Sequence, residues 1–267
     1  MHSYRRSKKS LGQNFLIDPN IIRKILKIEN INTNKLIMEI GPGYGDLTKK
    51  ILELKPKKLL AIEKDEELSI YLKKKFEDFN NIKIINKDIL EVIEKNILPN
   101  KISIFGNLPY NISTQILSSL ILLKKWPPWY DTLIFMFQKE VADRIVAKSG
   151  TKQFGRLSVL CNWRLNIKKH FDVSKNCFSP IPKVNSTVLS FKPKKIFYKI
   201  KNPKNLETIT RLLFSNRRKM INKNFLKIFN NNRLIAKQLC IDLNKRPEEL
   251  STETFYKIAI KYEELFG

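Results

Sequence analysis

Leu36-Ile37-Met38-Glu39-Ile40-Gly41-Pro42-Gly43-Tyr44-Gly45 carries a short apolar run straight into a glycine-rich loop. An apolar run of that length, closed by Gly and Pro, predicts a buried strand. Glycine tolerates positive φ and lets the backbone approach a ligand closely. The helix expected from Asp46 to Leu54 begins with unpaired N–H groups. Working outward, the alternation continues. Leu59-Leu60-Ala61-Ile62 predicts a second strand ending at Glu63, and Asp65 to Phe79 a helix. Ile82 to Ile85 predicts a third strand with Asp88 just beyond it, Ile102 to Phe105 a fourth, and Leu133 to Phe137 a fifth. Helical spacing marks Ile112 to Leu123 and Gln138 to Ala147. Strands alternating with helices predict an α/β fold, a parallel sheet covered on both faces. Ligands of such folds bind outside the carboxyl ends of the strands. Gly41–Gly45, Glu63, Asp88 and Asn107 all fall at those ends.

Upstream, Met1 to Asn14 is basic, and Asp18-Pro19 starts a helix with a capping residue and proline at the first position. Downstream, the texture changes near Pro180-Ile181-Pro182. Ser186 to Phe191 predicts one last strand, and Lys192 to Asn205 a basic, proline-containing linker. Leu206 to Gly267 is helical in pattern, with no glycine before Gly267. Two domains are expected: residues 1–195, carrying the sheet, and a small all-α domain over 196–267.

The chain has 51 basic and 25 acidic residues, a formal charge of +26. Such an excess points to a polyanionic partner, nucleic acid first. A richness in Lys, Ile and Asn also follows from AT-biased coding, so the arginine pairs Arg5-Arg6 and Arg217-Arg218 weigh more than any lysine. Cys161, Cys177 and Cys240 are scattered, and His2 and His170 are the only histidines. No metal-ligand spacing results, and a reduced, cytoplasmic setting is expected. No apolar segment follows the basic N-terminus, and Ile116 to Leu123, interrupted by Ser118-Ser119, is too short to span a bilayer. Neither a metal nor a membrane is expected.

Glu63 lies about twenty residues after Gly41, where an acidic residue takes ribose hydroxyls. That spacing suits NAD and S-adenosylmethionine equally. Asp88, placed to accept from an adenine amine, and Asn107-Leu108-Pro109-Tyr110 favour S-adenosylmethionine. The tetrapeptide resembles the motif of enzymes that methylate an exocyclic amine of a base. An adenine N6 lone pair is delocalised into the ring, so the amine is a poor nucleophile. The Asn side-chain carbonyl and a neighbouring backbone carbonyl can accept both N6 hydrogens and favour a more tetrahedral nitrogen. Pro109 stiffens the turn, and Tyr110 can stack on the base.

With these pieces in this order, the chain resembles the small-subunit ribosomal RNA adenine N6,N6-dimethyltransferase family. The resemblance extends over Leu11-Gly12-Gln13-Asn14-Phe15-Leu16, Glu39–Gly45, Asn107–Thr114, Gln138–Val141, Gly155–Val159, Phe178–Val184 and Phe214–Lys219. It implies a Rossmann-like methyltransferase sheet using S-adenosylmethionine, with a C-terminal helical domain. It implies cofactor roles for Asn14, Leu16, Gly41, Gly43, Glu63, Asp88 and Asn107. Asn107 and the Leu108 carbonyl would hold the target amine, with Tyr110 and Phe178 sandwiching an adenine flipped out of its stack. Arg211, Arg217, Arg218, Lys219 and Lys223, expected on one helical segment, would bind RNA. The implied substrate is a pair of adjacent adenines in the 3′-terminal hairpin loop of small-subunit rRNA, in a pre-30S-like particle, acted on by a monomer. Gln115 stands where the family usually has Pro, and Phe154 where it usually has Tyr.

Four other readings stay open on the residues. A macrolide-resistance-type large-subunit rRNA methyltransferase would share fold and site. A DNA adenine methyltransferase would need a target-recognition domain that the sequence lacks. A non-catalytic assembly factor would keep the scaffold and lose the chemistry. An NAD dehydrogenase explains neither Asn-Leu-Pro-Tyr nor the charge.

Overall fold

The computed structural model describes residues 8, 12–95 and 101–267. His2, the Arg5-Arg6 pair and Leu11 lie outside the described residues. The elements are, in chain order, β1 (Phe15–Leu16), α1 (Pro19–Leu26), β2 (Leu36–Ile40), α2 (Asp46–Glu53), β3 (Lys58–Glu63), α3 (Glu66–Lys75) and β4 (Ile82–Asn86). There follow α4 (Ile89–Lys95), β5 (Ile102–Asn107), α5 (Ser113–Ile121), β6 (Tyr130–Gln138), α6 (Lys139–Val146), α7 (Arg156–Arg164), β7 (Leu165–Val173), β8 (Phe178–Ser179) and β9 (Ser186–Pro193). The last helices are α8 (Pro203–Leu213), α9 (Asn222–Ile228), α10 (Leu234–Gln238) and α11 (Thr252–Phe266).

The chain forms two compact units. The first comprises residues 1–120, 127–142 and 167–193. Its sheet has the order β4-β3-β2-β5-β6-β9-β7. From β4 to β6 every neighbouring pair is parallel, whereas β9 runs antiparallel to β6. The sheet is therefore mixed rather than wholly parallel: no α-helix separates β7 from β9 in the chain, and β9 runs antiparallel to β6. The chain steps from β2 outward to β3 and β4, then comes back to the other side of β2 with β5 and β6. That reversal opens a crevice at the strand ends, where ligands bind in such sheets. The register sets its floor: Ile40 is level with Ile62 on one side and Gly106 on the other.

Local signals account for most boundaries. Asp18 accepts hydrogen bonds from the Asn20 and Ile21 amides and so starts α1, whose Ile22, Ile25 and Leu26 enter the core. Asp65 caps α3 through the Glu67 amide. α3 stops at Lys75, short of the expected Phe79, and Phe76 to Phe79 closes as a turn. Gly45 takes φ +80°, and a Cβ there would lie 2.7 Å from Phe76 and 2.9 Å from Leu72. Only glycine meets both demands at the start of α2.

Two elements carry no clear sequence signal. α7 (RLSVLCNWR) buries most of its length, so its apolar residues show no single face. β7 (LNIKKHFDV) is an edge strand with a Lys-Lys-His centre, which blurs its alternation. β1 and β8 pair for two residues each, aligning Leu16 with Phe178, a contact that no local pattern encodes.

The second unit comprises Ile121–Trp126, Asp143–Asn166 and Lys194–Gly267. The chain enters it for the last time at Lys194, beside the expected boundary at 195. Two earlier stretches, placed by that expectation in the first domain, belong with the helices. The reason is packing: α7 lies against α8 and α11, and the Tyr256 hydroxyl donates to the Val159 carbonyl at 3.0 Å. Phe154 supports a stacked Phe214–Phe255 pair with ring centres 5.3 Å apart. Among the described residues no helix is long and apolar enough to cross a membrane, and no group of acidic, His and Cys side chains could hold a metal ion.

Candidate active site

An open cavity lies at the carboxyl ends of β2, β3 and β5, and Gly41, Gly43, Glu63, Asp88, Asn107, Leu108, Pro109 and Tyr110 all line it. Gly12, Gln13, Asn14 and Phe15 line it as well, from the segment before α1. Residues far apart in sequence thus meet because consecutive parallel strands end level with one another.

The glycine loop is packed as well as bent. Gly43 takes φ +59°, and a Cβ on it would lie 2.6 Å from the Phe15 ring. The Gly43 amide donates to Glu63 Oε2 at 3.1 Å, and the Asp65 amide to Oε1 at 2.9 Å. Burial pushes the Glu63 carboxyl up from its ordinary range, against the pull of those amides. Beneath the loop, Glu39 is buried and accepts from the Thr48 hydroxyl at 2.7 Å. Burial, aided by nearby Glu63 and Asp46, pushes Glu39 up to about 8, so it is protonated at neutral pH. Asp88 caps α4 through the Leu90 amide and pairs with Lys64 at 2.7 Å. Burial works to raise its carboxyl, and Lys64 with that amide outweighs it, so Asp88 stays ionised.

Asn107 ends β5, and its Nδ2 donates to the Asn14 carbonyl at 2.7 Å. Because the partner is a carbonyl, the amide orientation follows from chemistry, and Oδ1 is left as the acceptor. Gly106 makes the turn possible: a Cβ there would sit 2.6 Å from Leu108 and 3.2 Å from Phe135. The Tyr110 hydroxyl meets Ser186 Oγ at 2.7 Å, which anchors its ring from β9. Burial pushes the phenol up from its ordinary range, against the pull of the Ser186 hydroxyl.

Two expected residues are placed elsewhere. Phe178 is 1% exposed, packs in the hydrophobic core and does not line the cavity. Exposing such a ring costs about 2–3 kcal/mol, whereas Tyr110 already lines the cavity. The Leu16 side chain is also core, beside a smaller recess next to Asn107. An aromatic that stacks on a ligand and one that fills a core read alike in a sequence. Asp65, conversely, reads in the sequence only as a helix cap. Its carboxylate accepts from Lys8 Nζ at 2.9 Å and Gln13 Nε2 at 3.1 Å, tying the N-terminal segment to the loop after β3. Its cap position is legible; these long-range partners are not. Gln13 and Phe15 line the cavity too, and their signal was the Leu11–Leu16 motif itself.

A family model described as ribosomal RNA adenine dimethylase matches residues 4–264. The chain belongs to this family. It is 53% identical to "Ribosomal RNA small subunit methyltransferase A" of Pelagibacter ubique, over 98% of this chain and 99% of the relative. A Wolbachia protein of the same name is 40% identical, over 98% and 95%. A dimethyladenosine transferase from Plasmodium falciparum superposes with TM-score 0.77 at 26% identity, covering 94% and 98%. The 23S rRNA methyltransferase ErmE shares the fold, with TM-score 0.67 at 20% identity, covering 93% and 99%.

In this dimethylase the five basic residues expected to face RNA do not share one helix. Arg211 is on α8 and Lys223 on α9, with a short 3₁₀ turn (Phe214–Asn216) and a bend between them. Arg217 is held by Glu248 at 2.6 Å and by the Lys152 carbonyl. Arg211, Arg218, Lys219 and Lys223 are exposed.

Proposed function

We propose that the cavity holds S-adenosylmethionine beside one unstacked adenine of small-subunit rRNA, and that the protein dimethylates N6 of two adjacent adenines in the 3′-terminal hairpin loop. The observation that carries this reading is Asn107, whose amide nitrogen is engaged by Asn14 while its oxygen is left to accept an amine.

The lining fits the cofactor. Gly41 presents bare backbone, with the nearest atom to a notional Cβ 3.9 Å away. Glu63, fixed by two amides, takes the ribose hydroxyls. Asp88 accepts from the adenine amine, and Ile62 and Ile89, which also line the cavity, supply apolar walls. Asn14 and the Leu16 backbone hold the segment that covers it. When bound, S-adenosylmethionine supplies an electrophilic methyl group. Asn107 Oδ1 and the Leu108 carbonyl accept the two N6 hydrogens and hold the nitrogen lone pair free of the ring. Tyr110 stacks on the target base, and Phe178 joins it if base binding shifts the β1–β8 pair. No side chain is required as a strong base, because the methylated nitrogen is acidic enough to lose its proton to a carbonyl or to water. Catalysis rests on positioning and fixed dipoles.

The rRNA in a pre-30S-like particle meets the exposed Arg211, Arg218, Lys219 and Lys223, and Arg217 shapes the bend that presents them. The protein acts as a cytoplasmic monomer. The test is incubation with labelled S-adenosylmethionine and unmodified small subunits, alongside large subunits and duplex DNA, followed by mapping of the labelled base. Dimethyladenosine confined to the small-subunit 3′ hairpin is expected. Label in large-subunit RNA would move the substrate to that subunit. Tight subunit binding without label would make the protein an assembly factor.

A further inference from the structure

The helical unit carries a second basic face, organised around a buried arginine. Arg164, at the C-terminal end of α7, is 3% exposed. Its guanidinium carbon lies 3.8 Å from the Trp163 ring centre, 4.8 Å from Trp126 and 5.3 Å from Phe197. Nη1 donates to the carbonyls of Ile121 at 3.0 Å and Leu123 at 2.8 Å. The Lys194 amide donates to the Arg164 carbonyl at 2.7 Å, and Trp126 Nε1 to the Lys194 carbonyl at 3.2 Å. One desolvated cation, held through Nη1 by two carbonyls and flanked by aromatic faces, therefore clamps together two segments distant in the chain, 121–126 and 194–199.

What the clamp presents is distinctive. Lys124, Lys125, Lys195 and Lys199 are all exposed, and neither segment contains an acidic residue. Ile196, between the lysines, is 91% exposed. Trp126 and Phe197 beside it are half-buried, with ring centres 5.8 Å apart. AT-biased coding scatters lysines; it does not build an arginine–indole clamp beneath them. The face is also separate from the Arg217–Arg218 bend. Lys152 and Phe154, just before α7, touch Arg217 and Phe214, whereas Arg164 closes α7 at its other end. Nine residues of helix set the two about 13 Å apart along its axis.

We propose that this face is a second RNA-contact surface: the lysines engage backbone phosphates, and Ile196 with the Trp126–Phe197 pair packs against a ribose or an unstacked base. This rests on the rRNA substrate proposed above. Cations without interspersed acids match a continuous phosphate line, and fixing both segments in advance lowers the ordering cost of binding. The apolar and aromatic surface at the centre suits the exposed bases of RNA loops.

The test compares wild type with Lys124→Glu/Lys125→Glu/Lys195→Glu/Lys199→Glu, its neutral Gln counterpart, and Arg218→Glu/Lys219→Glu. Affinity is measured against salt for unmodified small subunits and for protein-free small-subunit rRNA. Circular dichroism checks the fold of each variant. The lysine variants are expected to lose at least about tenfold in affinity for both targets, with the log–log salt slope reduced by about 3. Ile196→Ser is expected to weaken binding without changing the slope. Unchanged affinity and slope in the lysine variants, while Arg218→Glu/Lys219→Glu weakens binding, overturns the surface alone. Loss for subunits but not for protein-free rRNA also overturns it and makes the partner an acidic ribosomal protein. A wild type that does not prefer small subunits over large subunits or duplex DNA overturns the substrate reading, and the surface falls with it.

Discussion

The cavity of the sheet unit and the basic faces of the helical unit hold their functional side chains in opposite ways. In the cavity, each polar group is held by a partner from elsewhere in the chain: Asn107 by Asn14, Glu63 by the Gly43 amide, Tyr110 by Ser186. On the helical unit Arg211, Arg218, Lys219, Lys124 and Lys195 reach into solvent, on backbone stiffened from below by Arg217 and Arg164. The difference follows from distance dependence. Weakening the pull of a ring on an amine lone pair requires acceptors placed to within a few tenths of an ångström. Attraction to phosphate acts over a Debye length of about 8 Å, so a flexible cation on a fixed backbone suffices.

That contrast breaks most sharply at Asn107. Asn107→Ala should lower methyl transfer by at least about 100-fold and leave subunit binding within twofold or so, measured by single-turnover transfer and filter binding. Equal loss of both would mean that the residue positions RNA instead. Gly43→Ala should come next. It forces a non-glycine residue to positive φ, about 1–2 kcal/mol, and drives a methyl into the Phe15 ring. Cofactor affinity, read by calorimetry, should drop about tenfold or more, with RNA affinity unchanged.

Glu39 sharpens the comparison through pH. Its carboxyl rises from 4.5 to about 8 in the fold, so between those values the native state binds a proton that the unfolded chain releases. Stability therefore falls as pH climbs through that window, by up to about 1.4 kcal/mol per pH unit. Glu39→Gln, which mimics the protonated acid, should flatten the decline in Tm from pH 6 to 9. Glu63, also raised by burial, should leave a weaker slope of the same sign. An unchanged profile would place the Glu39 titration elsewhere. The smallest effects separate two adjacent arginines. Arg217→Ala should cost about 1 kcal/mol of stability, since its Glu248 pair is part-exposed. Arg218→Ala should leave Tm unchanged and weaken RNA binding, with a shallower salt slope.

The strands β2 to β6, the glycine loop, the acids beyond β3 and β4, and the Asn-Leu-Pro-Tyr turn were legible because each is a local pattern. A short apolar run closed by glycine or followed by an acid needs no distant partner to be recognised. α7 and β7 were not legible: one is buried around most of its circumference and the other is a polar edge, so neither shows a clean period. The basic residues Arg211–Lys223 read as one helix because lysine and arginine favour helix. The chain instead bends at Phe214–Asn216, where Phe214 stacks on Phe255.

The sequence by itself determined the α/β alternation, the family and most of the cavity lining, all of which follow from residue type at short spacing. The tertiary structure alone decided which aromatic faces the cavity, because burial separates Tyr110 from Phe178. It decided that Arg217 is tethered to Glu248 and the Lys152 carbonyl while Arg218 is exposed. It also joined residues 121–126 and 143–166 to the C-terminal helices. Each of these depends on which surfaces meet across a long separation in the chain, and that is set by packing rather than by any local preference.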